Sequence, residues 1–288
     1  MLIGAWCWWL LLGKHKVDAN EILTEVRNHP ETTARIFDHL WELAVEGGIE
    51  SDPRIFSDIA HDAGMIIGDQ GIDLVTAFSY CGTSFKQACM HGVIMEYIDR
   101  MHMHNNSVPE MLYLCDVFSD SLSKRNCYHG VGHEFAATMH GTLIQTLSFC
   151  KNLHPEESME SACESGVLME YSKEPTEFKE LPCKDLPDEF KRVCYASEGS
   201  YQQYYPGQKE FFASYQYCSA VPKQYVLSCM LGVSERALMA TAKNADRAYA
   251  FCLENNILQD ICLDSLISVS KTQFHDETLA KTLAEYGK

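Results

Sequence analysis

The sequence predicts an all-α protein: an α-solenoid of about six to seven helical hairpins, with a period of ~34 residues and one disulfide in each of six hairpins. Three observations predict it: the spacing of the cysteines, the placement of the prolines, and the absence of strand patterning. Leaving out Cys7, twelve of the thirteen cysteines form six pairs: Cys81/Cys89, Cys115/Cys127, Cys150/Cys163, Cys183/Cys194, Cys218/Cys229 and Cys252/Cys262. The first members lie 34, 35, 33, 35 and 34 residues apart. A fixed period in that range is the mark of a stacked helical-hairpin array. Pro30, Pro53, Pro109, Pro155, Pro175, Pro187 and Pro222 each stand where a helix can begin. Proline is tolerated there because its missing N–H would have no intrahelical partner anyway. No stretch combines β-branched alternation with tight hairpin turns, so strands are not expected.

Each unit reads as a first helix, a short loop and a second helix. In the fourth unit the first helix is expected over about Thr176 to Lys184 and the second from Pro187 to about Tyr205. Glycine recurs three residues after the second cysteine at Gly92, Gly130, Gly166 and Gly232, with Ser197 and Ser265 in the other two units. A helical glycine costs about 1 kcal/mol relative to alanine. Its repetition at one register therefore implies that a neighbouring helix comes close. Gly64 fits the same register if His61 takes the cysteine position, which adds a seventh, degenerate hairpin at the front. In period and hairpin plan, from about Pro30 to Lys271, the chain resembles tetratricopeptide and related helical solenoids. Their Trp, Leu-Gly, Tyr and Ala consensus is not found in it.

Residues 17–288 are expected to form one helical repeat domain. Residues 1–16 are expected to be the remnant of a signal or membrane anchor. Leu2 to Gly13 is apolar and is followed by Lys14-His15-Lys16. Its twelve residues fall short of the ~20 that a membrane-spanning helix needs, and no basic residue precedes them.

For the paired cysteines three chemistries compete. A cysteine shortly before an antiparallel turn faces one several residues after it, which suits a disulfide. Closing loops of this length contributes roughly 2–3 kcal/mol each in the chain-entropy model. Zinc ligation lacks any C-x-x-C. Thiols storing a soft metal would give no reason for pairs in step with the hairpins. Disulfides are the reading adopted, with connectivity within or between repeats left open, and they imply an exported, extracytoplasmic protein, periplasmic, secreted or anchored facing outward.

With 40 acidic and 23 basic residues the net charge is −17. A field of that sign repels phosphate backbones, so nucleic acid is not an expected partner. No Gly-rich phosphate loop, nucleophile elbow or dinucleotide fingerprint is present. One segment carries chemistry: Cys127-Tyr128-His129-Gly130-Val131-Gly132-His133-Glu134. His129 and His133, at i and i+4, share one helical stripe, an arrangement that suits two imidazoles on one metal ion. That stripe is expected to turn away from the Cys127/Gly130 face. His91 holds the equivalent register one repeat earlier, and His61 could join from the front hairpin. Glu96, Glu134 and Glu170 recur seven residues after the second cysteine and could orient the imidazoles. The order is neither H-E-x-x-H nor H-x-x-E-H, so no zincin mechanism follows. Zinc or copper is the ion implied. Met101-His102-Met103-His104 is a weaker candidate for copper.

Two functions follow as expectations. One is a binding scaffold for a protein or peptide, with membrane attachment through the N-terminus and with Tyr195, Tyr201, Tyr204, Tyr205, Tyr215 and Tyr217 as packing or recognition surface. The other is a metal-binding protein or metal-dependent enzyme built on His91, His129, His133 and His61.

Overall fold

A computed structural model describes residues 18–45, 53–82, 86–101, 111, 114–138, 141–153, 156–172, 180–202, 211–241, 243–253, 258–274 and 276–287. The N-terminal segment 1–16, His102 to His104, and Pro109, Pro155 and Pro175 lie outside the described residues. Among the described residues the protein is all-α, without strands, and it is a helical repeat. Among the described residues no helix is long and apolar enough to cross a membrane. The helices cluster into two compact units, one up to Met103 and one from His104 onward.

The first unit holds α1 (Ala19–Asn28), α2 (Thr33–Val45), α3 (Pro53–Asp69), α4 (Leu74–Tyr80) and α5 (Lys86–Arg100). Local chemistry sets their ends. Asp18 caps α1 by accepting the Asn20 N–H at 2.9 Å, and Asp73 caps α4 by accepting the Thr76 N–H at 3.0 Å. Such caps satisfy donors that the first turn leaves without partners. Pro30 opens the turn leading into α2, and Pro53 opens α3. α2 and α3 supply the unstapled front hairpin that the sequence predicts, and α4 and α5 are joined by Cys81–Cys89.

The second unit contains α6 (Ser121–Thr138), α7 (Leu143–Leu153), α8 (Glu157–Ser172), α9 (Asp188–Tyr201), α10 (Phe211–Ala220), α11 (Val226–Ala240), α12 (Ala245–Leu253), α13 (Gln259–Thr272) and α14 (Glu277–Glu285). Its disulfides are Cys115–Cys127, Cys150–Cys163, Cys183–Cys194, Cys218–Cys229 and Cys252–Cys262. All six staples close within a hairpin, with Cα separations of 5.5 to 5.6 Å. That settles the connectivity the spacing left open. Six closed disulfides are what an oxidising, extracytoplasmic environment produces.

The fourth hairpin departs from the expected plan. Its first arm, where described, is a turn and not a helix: Glu180 to Pro187 carries no helical segment, and Pro187 caps α9. Pro182 disfavours helix at Leu181. The freed Leu181 N–H donates instead to the fully buried Glu198 carboxylate at 2.9 Å, and the Gln202 amide donates to the same carboxylate at 2.7 Å. The second helix is described from Asp188 to Tyr201, and Tyr205 lies outside the described residues.

The glycines reveal how the second helices pair. A Cβ on Gly64 would collide with the Cys89 carbonyl, and one on Gly92 would collide with the His61 carbonyl. Gly132 meets the Cys163 carbonyl in the same way, and Gly166 meets that of His129. Gly199 meets the Cys229 carbonyl, and Gly232 that of Ala196. Three helix pairs, α3·α5, α6·α8 and α9·α11, are thus locked by the same reciprocal backbone contact, which only glycine permits. Within each pair the two helices use different registers. In α5, α8 and α11 the contact glycine lies three residues after the cysteine, as expected. In α6 and α9 the contact with the paired helix is made five residues after the cysteine, at Gly132 and Gly199. The same register puts Ile59, not His61, in the cysteine position of α3.

A candidate metal centre on α6 and α8

α6 places its histidines without amphipathic patterning. Every residue from Asn126 to Phe135 is buried, so this helix runs through packed surroundings on all sides. His129 is 6% exposed and His133 is 2% exposed. The sequence reading turns their stripe away from the Cys127/Gly130 face, and in the structure that side of the helix is buried as well. The reason is the pairing with α8: Gly166 presses against the His129 backbone, close to the His133 N–H.

The two imidazoles converge. His129 Nε2 and His133 Nε2 lie 3.1 Å apart, with ring centroids 4.9 Å apart and planes inclined at 60°. At that separation the two nitrogens share one proton, one ring donating and the other accepting. The far nitrogen of His133, Nδ1, lies 3.0 Å from Glu170 Oε2 on α8. Glu170 keeps its side chain 23% exposed while His133 is enclosed. Two imidazole nitrogens aimed at one point, one of them backed by a carboxylate, can take up a divalent cation of borderline softness.

The remaining predicted residues fall as follows. His91 lies on α5 in the first unit and is 6% exposed. Like His129, it sits two residues after its hairpin's second cysteine. His61 lies on α3 in the first unit, half-buried, with Nδ1 3.8 Å from Asp62 Oδ1. In the α3·α5 pair it holds the place that His129 holds in α6·α8. Met65 stands at the His133 position and Glu96 at the Glu170 position. Burial raises the pKa of Glu96, and neighbouring Asp69 and Asp99 add to the rise. Glu134 is buried on α6 at 6% exposure. The carboxylate brought to His133 is Glu170, which carries the same cysteine-relative register as Glu96 and Glu134. What selects it is the α6·α8 pairing, and a single-helix reading has no access to that.

Of the tyrosine cluster, Tyr195, Tyr201 and Tyr215 are buried and serve as packing, and Tyr217 is half-buried. Tyr195 stacks on Tyr225 with centroids 5.0 Å apart, and the Tyr215 hydroxyl lies 3.1 Å from Cys262 Sγ. Tyr204 and Tyr205 lie outside the described residues. Of the soft-metal segment only Met101 is described, and it is exposed. No protein-family model, curated protein or solved structure matches this chain.

Proposed function

We propose that this is an exported metal-binding protein whose ligand pair is His129 and His133, taking zinc or another imidazole-preferring divalent ion such as copper(II). The observation that carries the reading is the 3.1 Å approach of two buried Nε2 atoms, one of whose rings is held from behind by Glu170. The cysteines nearest the pair, Cys127 and Cys163, are closed in disulfides and offer no thiolate, so nitrogen is the donor and imidazole-preferring ions are favoured. The repeat register supports His91 as a further nitrogen ligand, because it occupies in its hairpin the place of His129. His61 shares that place but faces Met65, not a second histidine, in the sequence of its own helix. A periplasmic, secreted or outward-facing anchored location is the setting we assign.

A scaffold for a protein or peptide is the second reading. It is supported by the helical repeat itself, since such arrays present extended surfaces. The strongly acidic balance argues against a nucleic-acid partner.

Calorimetric titration of metal-stripped, untagged protein with Zn²⁺ tests the first reading. One equivalent should bind, and binding should weaken as pH falls through the histidine range, because protonated imidazole cannot ligate. The double change His129→Ala and His133→Ala should abolish uptake. Both side chains are buried, so a thermal melt accompanies the titration. A wild type that takes up no metal, with a double mutant that melts early, would make these core histidines and defeat the proposal.

A further inference from the structure

Taking the histidine pair as a ligand pair, we infer that Glu170 is its positioning residue: the carboxylate holds the Nδ1–H of His133 and so fixes the tautomer whose bare Nε2 faces the ligand position. A carboxylate can only accept, so across the 3.0 Å contact Nδ1 must be the donor. In a neutral imidazole that leaves Nε2 without a proton. His129 then supplies the proton on its own Nε2 across the 3.1 Å gap. The arriving ion replaces that single proton, and His129 moves to its other tautomer. The contact between the two Nε2 atoms works with either ring as donor, and the Nδ1–Glu170 contact selects the arrangement in which His133 does not aim a protonated nitrogen at the cation.

The orienting group comes from a different helix than the ligands do. Glu170 lies one turn beyond Gly166, whose contact with the His129 backbone fixes the distance between α6 and α8. The site is therefore a property of the helix pair. The two other locked pairs show the alternatives. α3·α5 keeps the acid as Glu96 and one imidazole as His61, with Met65 in the second place. α9·α11 has Ala196, Ser200 and Arg236 at the three positions, and Ser200 turns its hydroxyl to the Gly232 carbonyl at 3.1 Å. Only α6·α8 combines both imidazoles with the carboxylate.

Long-range ¹H–¹⁵N correlation of ¹⁵N-histidine-labelled protein, metal-free, reads the tautomer directly. Wild type should show His133 protonated at Nδ1. Glu170→Ala should lose that preference and weaken Zn²⁺ binding by roughly 10- to 100-fold. Glu170→Gln, whose amide oxygen can still accept, should retain the tautomer and recover part of the affinity. His133 protonated at Nε2 in the wild type, or a Glu170→Ala protein with unchanged tautomer and unchanged affinity, would overturn the inference. Metal-free tautomers as expected in a wild type that binds no zinc would leave Glu170 in its role and defeat the metal reading alone.

Discussion

Glu164 follows Cys163 at a position where four of the five other stapled hairpins place buried side chains, Met90, Tyr128, Tyr195 and Met230, and the fifth the half-buried Leu263. It too is buried, at 3% exposure. Desolvation, with Glu160 beside it and Glu189 opposing from α9, pushes its carboxyl up to about 8 against the pull of Lys151 and Arg192. Those two cations are engaged elsewhere, Lys151 with Glu189 and Arg192 with Glu157. A raised folded-state pKa means that the native state binds the proton more tightly than the unfolded chain does. Its stabilising effect is complete below the unfolded value near 4.5 and is lost as pH rises to about 8. Glu164→Gln should therefore be more stable than the wild type at pH 8, by on the order of 1–3 kcal/mol, with the difference closing near pH 4. Urea denaturation of both proteins at the two pH values checks this. Equal differences at both would assign the effect to packing. Nothing in the sequence marks Glu164, since its burial depends on which face α8 turns to α7 and α9. His129 and His133 were legible because a spacing of four is a property of one helix, whereas Glu170's role depends on two.

At the scale of the element, the cysteine period revealed the hairpins but not their pairing. The expected glycine register was right for α5, α8 and α11, where Gly92, Gly166 and Gly232 make the contact. In α6 and α9 the contact with the paired helix falls two residues further on, at Gly132 and Gly199. The prolines were sound guides where they are described, at Pro30, Pro53, Pro187 and Pro222. In the fourth hairpin Pro182 was the overlooked signal, and the described end of the first arm, from Glu180 on, is a non-helical segment pinned by Glu198. The locks make a direct prediction. Gly166→Ala must push α8 off the His129 backbone, costing about 1–3 kcal/mol as an overpacked contact. Gly141→Ala, whose Cβ would find its nearest neighbour at 3.4 Å, serves as the near-neutral control. Similar melting temperatures for the two variants would show that the glycine contact does not set the helix spacing.

For the molecule as a whole, the twelve periodic cysteines organise everything else. Each of the six stapled hairpins carries its own short covalent loop, spanning 8 to 13 residues, so the unfolded chain is restrained at regular intervals from Cys81 onward. Loops of this size contribute roughly 2–3 kcal/mol each in the entropic account, enough that reduction should cost the fold more than any single side-chain change. The disulfides also remove the sulfur ligands from competition and leave nitrogen to the candidate metal centre. Non-reducing peptide mapping by mass spectrometry, with thiols alkylated before any reduction, tests this framework most directly. Six links should appear, Cys81–Cys89, Cys115–Cys127, Cys150–Cys163, Cys183–Cys194, Cys218–Cys229 and Cys252–Cys262, with Cys7 as the one alkylated thiol. Alkylation of most of the twelve in native protein, or links joining one hairpin to the next, would contradict it.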